Sequence, residues 1–463
     1  MVKESNCFLS KQLLYLLICI IIPTIILFMP DTEYFTKEIK IYGAITLFII
    51  SIVSFELFDI LIPSILLPSL YCISGIVDAS TAFISWTNTI IYMIIGAFTL
   101  TNVLESCGLL NRIALYCIKK CGGTFNGTLY GLLITGIILA AITFNNAYII
   151  MITLGYGICK TMNLEKSNQS AVLMMAAGIS ANTVGVFMYD PAMMSLLQTN
   201  AQTVIPDFKI TWVEQFVYNV PLFFFLVLFC WIMTKIYKTQ NLNSLGKDYF
   251  KNEYDKLGPI TRNEKIALIV LSILMIFLLS SPFHGIDITY GFMLLPWILF
   301  LPGINVGTKE DIKKLPYGTI FFIAACLGIG MVGNALGVSK IISTFLAPVL
   351  EGQHIIYILY VVLGLGILAN LFMTPFAMVA SLSGPVAQVV SNLDLSLWPP
   401  LLALYHSCFL IFLPYEIPVW LVLFGFGMIS MKNFILLSAL NVFLFLLYFG
   451  IVMVPYWTML GLF

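Results

Sequence analysis

Charge is scarce in this sequence, and so are the patterns that accompany catalysis or nucleic-acid binding. Only 10% of the 463 residues are charged, with 22 lysines and arginines against 22 aspartates and glutamates. No basic arm is present, which argues against a nucleic-acid partner. The ten cysteines include no C-x-x-C pair, and there is no metal-ligand cluster, nucleophile motif or phosphate-binding loop. We therefore expect neither an enzyme nor a cofactor.

Apolar residues dominate instead. The hydrophobic fraction is 60% and the mean hydropathy is +1.01, whereas a soluble domain is about half apolar and about a quarter charged. At about 20 residues per span, the chain has room for about eleven spans. The sequence thus predicts an all-α membrane protein. The first apolar run, Leu13–Met29, has no small-residue cleavage site and is expected to remain as the first span.

Two stretches interrupt the series of apolar spans and are predicted to be re-entrant helical hairpins. They cover about 125–160 and about 355–392, and their tips fall at Phe144–Asn146 and Thr374–Pro375. Each arm of the first stretch looks short for a full span, and polar backbone at membrane depth is tolerated only where protein or a wet cavity encloses it. The spans that follow are also broken, at 182–191 and 414–418.

The same order of features occurs twice along the chain: spans, a surface helix, a hairpin, a broken span and a closing span. Gly96-x5-Asn102-x-Leu104 is matched by Gly328-x5-Asn334-x-Leu336. An odd number of crossings in each unit would make the two units inverted repeats. The predicted organisation is a first span and outer loop (1–39), a first repeat (40–238), a cytoplasmic linker (239–264) and a second repeat (265–463).

The basic residues predict the orientation. If the N-terminus is cytoplasmic and neither hairpin crosses the membrane, eighteen of the 22 lysines and arginines lie on the cytoplasmic side and four lie outside. This is a strong positive-inside bias. The C-terminus is then expected outside, and the protein in the plasma or inner membrane.

Ionisable residues within a membrane are rare and usually functional. Glu56 and Asp59 flank the end of a span, where helix capping explains them as well as function does. Asp190 and Glu416 lie in matching breaks, each between a tyrosine and a proline. They are predicted to couple transport to a cation or proton, with capping of half-helices as the alternative. His406 is lone and intramembrane, which is more typical of a core residue.

Asn145 and Asn146 place amides at a hairpin tip, where half-helix N-termini direct positive dipoles inward. Such a tip suits an anionic substrate, and exposed carbonyls at half-helix ends suit Na⁺. The alternative is that these polar residues hold helices together. That alternative accounts for single amides better than for a break that occurs twice.

Over nearly its whole length the chain resembles the divalent anion:sodium symporters, which carry di- and tricarboxylates or sulfate. The resembling motifs are Phe55-Glu56…Pro63…Leu67-Pro68…Gly75, Gly108-Leu109…Arg112-Ile113-Ala114-Leu115, Leu257-Gly258-Pro259-Ile260-Thr261…Glu264 and Gly425-Phe426-Gly427-Met428-Ile429-Ser430…Phe434. The resemblance implies a homodimer that moves its substrate by an elevator-like shift. It also implies Ser-Asn-Thr at both tips, whereas this chain has Phe144-Asn145-Asn146 and Thr374-Pro375-Phe376-Ala377.

These observations lead to two sets of candidate residues. The predicted substrate-binding residues are Asn145, Asn146, Thr374 and Pro375. The predicted cation- or proton-coupling residues are Thr143, Ser180, Asn182, Thr183, Gly185, Asp190 and Glu416. Since Asp190 and Glu416 stand where the family has amides, protons are a candidate coupling ion instead of, or beside, sodium.

The expected function is secondary active symport of a small organic anion, a di- or tricarboxylate, coupled to sodium, protons or both. The alternative within transport is a cation/proton antiporter or an anion exporter or exchanger of the same superfamily. From another class, a membrane-embedded enzyme or a structural subunit is the remaining hypothesis.

Overall fold

The computed structural model describes residues 2–55, 57–121, 124–143, 147–237 and 247–463. Within these ranges the chain is α-helical and contains no β-strand. Four residues named above, Glu56, Phe144, Asn145 and Asn146, lie outside the described residues, as does the first part of the predicted linker.

The helices of the first half are α1 (Val2–Leu27), α2 (Lys37–Ser54), α3 (Leu61–Ile73), α4 (Ala79–Ala82), α5 (Thr89–Ser106), α6 (Leu109–Cys121), α7 (Phe125–Thr143), α8 (Tyr148–Thr161), α9 (Asn168–Asn182), α10 (Pro191–Gln202), α11 (Trp212–Asn219) and α12 (Pro221–Ile236).

The second half begins with a short helix that precedes the next apolar run. Its helices are α13 (Lys247–Lys256), α14 (Arg262–Leu279), α15 (Ser281–His284), α16 (Ile288–Leu294), α17 (Lys309–Lys313), α18 (Tyr317–Ala335), α19 (Val338–Leu350), α20 (Ile355–Asn370), α21 (Pro375–Asn392), α22 (Trp398–Ser407), α23 (Pro418–Gly425), α24 (Met431–Tyr448) and α25 (Val454–Met459). A π-helical turn, Phe449–Met453, joins the last two.

Four helices in the described ranges are long and apolar enough to cross a membrane by themselves: Thr89–Ser106, Phe125–Thr143, Tyr317–Ala335 and Met431–Met459. A fifth candidate is the pair α11 and α12, which is bent by 47°. Other apolar helices are shorter, because the chain is repeatedly broken by proline and by polar residues. The molecule is therefore a multi-pass helical membrane protein with many discontinuous segments.

Both predicted hairpins form pairs of helices. In the first, α7 has 19 residues and α8 has 14, so the expectation that each arm is short for a full span is wrong for α7, which is by length able to span. Helix α7 starts at Phe125, where the preceding Thr124 hydroxyl accepts a hydrogen bond from the Gly127 amide at 3.0 Å. In the second hairpin, α20 and α21 have 16 and 18 residues.

Each hairpin packs closely on the broken helix of its own half, and in both halves a glycine permits the approach. A Cβ atom added at Gly136 of α7 would collide with the Ser180 side chain of α9. A Cβ atom added at Gly366 of α20 would collide in the same way with the Ser407 side chain of α22. Small residues allow two helix backbones to approach each other closely in a membrane, where hydrophobic burial contributes little to helix association.

The two halves are also interleaved. Helix α10, after the first break, packs on α21 of the second hairpin, and α23, after the second break, packs on α8 of the first hairpin. Each half therefore supplies the surface against which the other half's hairpin rests.

Helix α6 has apolar and basic faces, as the sequence predicts for a helix at a membrane surface. Its Arg112 reaches the end of the linker, where Nε lies 2.6 Å from Oε1 of Glu264 and Nη1 donates to the Gly258 carbonyl at 2.9 Å. Glu264 in turn caps α14 by accepting a hydrogen bond from the Thr261 amide at 2.6 Å. The junction between the halves is thus held by one side chain that bonds several backbone groups.

Candidate functional site

The first break begins where α9 ends at Asn182. A single 3-10 turn, Thr183–Val186, follows, and the chain is then irregular until α10 starts at Pro191. Ser180 is fully buried and its hydroxyl donates to the Ala177 carbonyl at 3.1 Å. Asn182 is 6% exposed and Thr183 is half-buried. The predicted polar residues of this break are therefore buried or half-buried inside the protein.

Asp190 closes this break as the N-cap of α10. Its Oδ1 atom accepts hydrogen bonds from the amides of Ala192 at 3.0 Å and Met193 at 3.2 Å. Pro191 occupies the first position of the helix, where its missing N–H leaves no backbone donor unpaired. The Asp-Pro pair in the sequence is thus explained by capping, which was the structural alternative for this carboxylate.

The second break separates α22 from α23. A 3-10 turn, Pro414–Glu416, lies near its end, and Pro418 begins α23. Glu416 is 2% exposed, and its Oε1 atom accepts hydrogen bonds from the amides of Phe412 at 3.0 Å and Leu413 at 2.7 Å. Its Oε2 atom is buried and has no hydrogen-bond partner in the described part of the chain. A buried polar atom without a partner is costly, so this oxygen is a candidate site for a proton or a cation.

Of the first hairpin tip, the structure describes only the flanking residues. Thr143 ends α7; its hydroxyl donates to the Leu139 carbonyl at 2.8 Å, and its own carbonyl accepts from the Thr101 hydroxyl at 3.3 Å. Helix α8 begins at Tyr148, so its N-terminus lies next to the tip.

At the second tip, Thr374 is the N-cap of α21, and its hydroxyl accepts a 3.4 Å hydrogen bond from the Ala377 amide. Pro375 is the first residue of that helix. A cavity of about 10 Å³ adjoins Thr374, with apolar walls that include Leu67 and Phe322. This volume holds no more than about one water molecule, so the described surroundings of Thr374 are closed and largely apolar.

Two larger cavities open near helix ends that are predicted from the sequence to be cytoplasmic. One, of about 450 Å³, lies between α6, α8 and α13, and Glu105 and Glu253 are on its walls. The other, of about 430 Å³, lies at the starts of α9 and α24, beside Lys166 and Lys432. The acidic walls of the first disfavour an anion by like-charge repulsion, whereas the second is positively charged.

Several buried polar residues next to these breaks were missed in the sequence. Asn370 is 1% exposed, and its Nδ2 atom donates to the Ser407 carbonyl at 2.6 Å, which joins the end of α20 to the end of α22. Tyr405, which is fully buried, donates its hydroxyl to the Gly185 carbonyl of the first break at 2.7 Å. Single amides and tyrosines in apolar runs carry no local pattern that distinguishes such bonds from ordinary packing.

His406 and Asp59 have roles in packing and capping. His406 is 1% exposed, surrounded by aromatic rings of α24, the π-turn and α25, and hydrogen-bonded to Asn219 at 2.7 Å. Asp59 is exposed and accepts a hydrogen bond from the Leu61 amide at 2.9 Å at the start of α3.

Comparison with known proteins gives a consistent result. The sequence profile of the sodium:sulfate symporter transmembrane region matches residues 10–463. The sodium-dependent dicarboxylate transporter SdcS of Staphylococcus saprophyticus is 25% identical over an alignment that covers 93% of this chain and 88% of that protein. SdcS of Staphylococcus aureus is 21% identical over 60% of this chain and 58% of that protein.

Solved structures share the fold at low sequence identity. The YdaH transporter of Alcanivorax borkumensis superposes with a TM-score of 0.55 at 15% identity, over 80% of this chain and 85% of that one. MtrF of Neisseria gonorrhoeae, described as one of a class of antimetabolite efflux pumps, superposes with a TM-score of 0.52 at 14% identity, over 95% of this chain and 92% of that one.

Proposed function

The chain belongs to the sodium:sulfate symporter family, and from that premise we propose that it is a sodium-coupled symporter of a small organic anion, a di- or tricarboxylate. The observation that carries this proposal is the pair of buried broken helices, each packed on a hairpin of its own half. Irregular backbone at membrane depth is typical of transport sites, where half-helix ends bind substrate and ions. The name of the relatives, sodium-dependent dicarboxylate transporter, supports both the ion and the substrate class.

The anion would bind between the two tips, at Asn145, Asn146, Thr374 and Pro375. Helices α8 and α21 both begin beside a tip, at Tyr148 and at Pro375. The positive ends of their dipoles would then face the carboxylates. Since the surroundings of Thr374 hold only about 10 Å³ of free space, we expect the site to open before substrate enters.

The cations would bind at the breaks, through Thr143, Ser180, Asn182, Thr183, Gly185 and Glu416. The first break offers neutral oxygens and backbone carbonyls, which are the ligands that sodium prefers at half-helix ends. In the second break Glu416 has one buried oxygen without a partner in the described residues, which supports a proton or a second cation there. Asp190 would act by fixing the start of α10 that closes the first break.

The close packing of a hairpin glycine on a broken-helix serine occurs in both halves, which supports two repeats, 40–238 and 265–463. With eleven spans, a cytoplasmic N-terminus and an outer C-terminus, these repeats would be inverted. We also propose a homodimer that works by elevator-like alternating access in the plasma or inner membrane. Each protomer would have two re-entrant hairpins and a cytoplasmic linker (239–264).

Uptake of labelled carboxylates by proteoliposomes, under separately imposed sodium and proton gradients, tests the function directly. We expect uptake of a di- or tricarboxylate that requires an inward sodium gradient. Thermal unfolding of purified protein with carboxylates, sulfate and amino acids provides an independent binding test, because a ligand stabilises the state that binds it. Absence of both uptake and stabilisation across the carboxylates would contradict the proposal. Uptake that needs internal anion rather than sodium would assign the chain to exchange.

A further inference from the structure

Buried hydrogen bonds form a closed ring around the carbonyls of the first break. Tyr405 of α22 donates to the Gly185 carbonyl at 2.7 Å, and Gln215 of α11 donates its Nε2 to the neighbouring Val186 carbonyl at 2.7 Å. Helices α22 and α11 are themselves joined, because His406 bonds Asn219 at 2.7 Å. Asn219 Nδ2 donates to the Gln215 carbonyl at 2.8 Å, which closes the ring.

The ring fixes the protonation of its histidine. Asn219 uses its Nδ2 group as a donor to Gln215, so its Oδ1 atom must accept from His406. His406 therefore carries its hydrogen on Nε2. Nδ1 of His406 is buried without a hydrogen-bond partner in the described residues, as expected for a neutral ring among aromatic side chains.

All four side chains of the ring are at most 1% exposed: Tyr405, Gln215, Asn219 and His406. Water cannot replace their hydrogen bonds, so the two carbonyls are held in fixed directions. A carbonyl oxygen has two lone pairs, and each ring bond uses one of them. The ring does not use the second lone pair of either oxygen.

The end of α22 also reaches the second hairpin. Two residues after Tyr405, the Ser407 carbonyl accepts the 2.6 Å hydrogen bond from Asn370, at the end of α20 and just before the tip at Thr374. One turn of α22 thus contacts the first break on one side and the second hairpin on the other.

We propose that Tyr405 and Gln215 are positioning residues that direct the Gly185 and Val186 carbonyls toward a cation in the first break. Because Tyr405 belongs to the second half, this ring links cation binding in one half to the second hairpin, where the anion is proposed to bind. The inference rests on the proposed symport function and names the residues through which sodium and anion binding are coupled.

The variant Tyr405→Phe removes only the hydroxyl group. We expect the sodium concentration for half-maximal uptake to rise about 3- to 10-fold, the effect of losing one typical buried hydrogen bond. The KM for the anion should rise at low sodium and return to the wild-type value when sodium is saturating. Gln215→Met should act in the same direction, because it removes the bond to Val186. Sodium-induced thermal stabilisation should weaken in parallel in both variants.

Tyr42→Phe is the matched control. Its hydroxyl also donates to a backbone carbonyl, that of Ile329, at 2.9 Å, but α2 and α18, which hold these two residues, carry no residue of the ring. We expect its sodium dependence to match the wild type.

A sodium dependence unchanged in Tyr405→Phe and Gln215→Met would overturn the ring as a positioning device while leaving symport intact. A fall in maximal rate and melting temperature with no change in the sodium requirement would do the same, since that is a structural effect only. If the wild type itself shows no sodium dependence, the proposed function fails first. Should Tyr405→Phe not fold, the Gln215 variant decides alone.

Discussion

The two breaks occupy equivalent places in the chain but differ in chemistry. The first contains Asn182 and Thr183 and two carbonyls that are hydrogen-bonded by other helices. The second is apolar from Phe409 to Leu413 and holds one buried carboxylate, Glu416. The polar groups of the first break are therefore mostly neutral, and its carboxylate, Asp190, caps α10, whereas the second break has a carboxylate with one buried oxygen that lacks a hydrogen-bond partner among the described residues.

The two carboxylates at these breaks also differ. Asp190 accepts hydrogen bonds from backbone amides that follow it, in the first turn of α10. Glu416 instead accepts hydrogen bonds from backbone amides that precede it in the chain. The bonds to these amides use one oxygen of each carboxylate, and the second oxygen of Glu416 is the one that is buried without a hydrogen-bond partner among the described residues.

The largest effect is expected from Glu416→Leu, which leaves the partly buried amides of Phe412 and Leu413 without their acceptor. Each unpaired group costs about 1–3 kcal/mol, so we expect a stability loss of several kcal/mol and loss of uptake. Thermal unfolding in detergent and proteoliposome uptake measure the two effects. Wild-type stability in this variant would mean that the carboxylate does not hold the break.

Glu416→Gln keeps an oxygen that can accept the same hydrogen bonds but cannot ionise. If the second break carries a proton, this variant should fold and lose any response of uptake to an imposed proton gradient. The response to sodium should remain. Transport driven by sodium alone, and unchanged in Glu416→Gln, would end the proton hypothesis.

An intermediate effect is expected from substitutions at the two hairpin glycines, where the helix packing of the two halves is alike. Gly136→Ala and Gly366→Ala each place a methyl group against a serine of the adjacent broken helix, and such overpacking costs about 1–3 kcal/mol. Both variants should lower the melting temperature by similar amounts. Adding Ser180→Gly or Ser407→Gly, respectively, should restore part of the loss, since the removed side chain makes room. Destabilisation in only one half would show that the two packings are not equivalent.

The smallest effect is expected from Asp190→Asn. Asparagine caps helices about as well as aspartate, so the stability should change by about 0.5 kcal/mol or less, whereas Asp190→Ala should lose about 1 kcal/mol. Sodium and proton dependence of uptake should match the wild type in Asp190→Asn. A changed proton dependence would instead give Asp190 a coupling role like that proposed for Glu416.

Local features of this fold could be predicted from the sequence, and contacts between distant segments could not. The breaks at Asp190-Pro191 and Thr374-Pro375 can be predicted because proline and capping residues determine the backbone conformation of their immediate neighbours. The Tyr405–Gly185 bond joins residues 220 positions apart, and nothing near either residue indicates its partner. The expectation that both arms of the first hairpin are short is wrong for α7, because apolarity alone does not show how far a helix extends.

The Arg112 side chain, which bonds the linker carbonyls and Glu264, makes the peptide connection between the halves partly redundant. Helix α13 packs on α6 beside it, so a chain cut between Ile236 and Lys247 would still present complementary surfaces at that junction. Two polypeptides synthesised separately therefore have a built-in docking point.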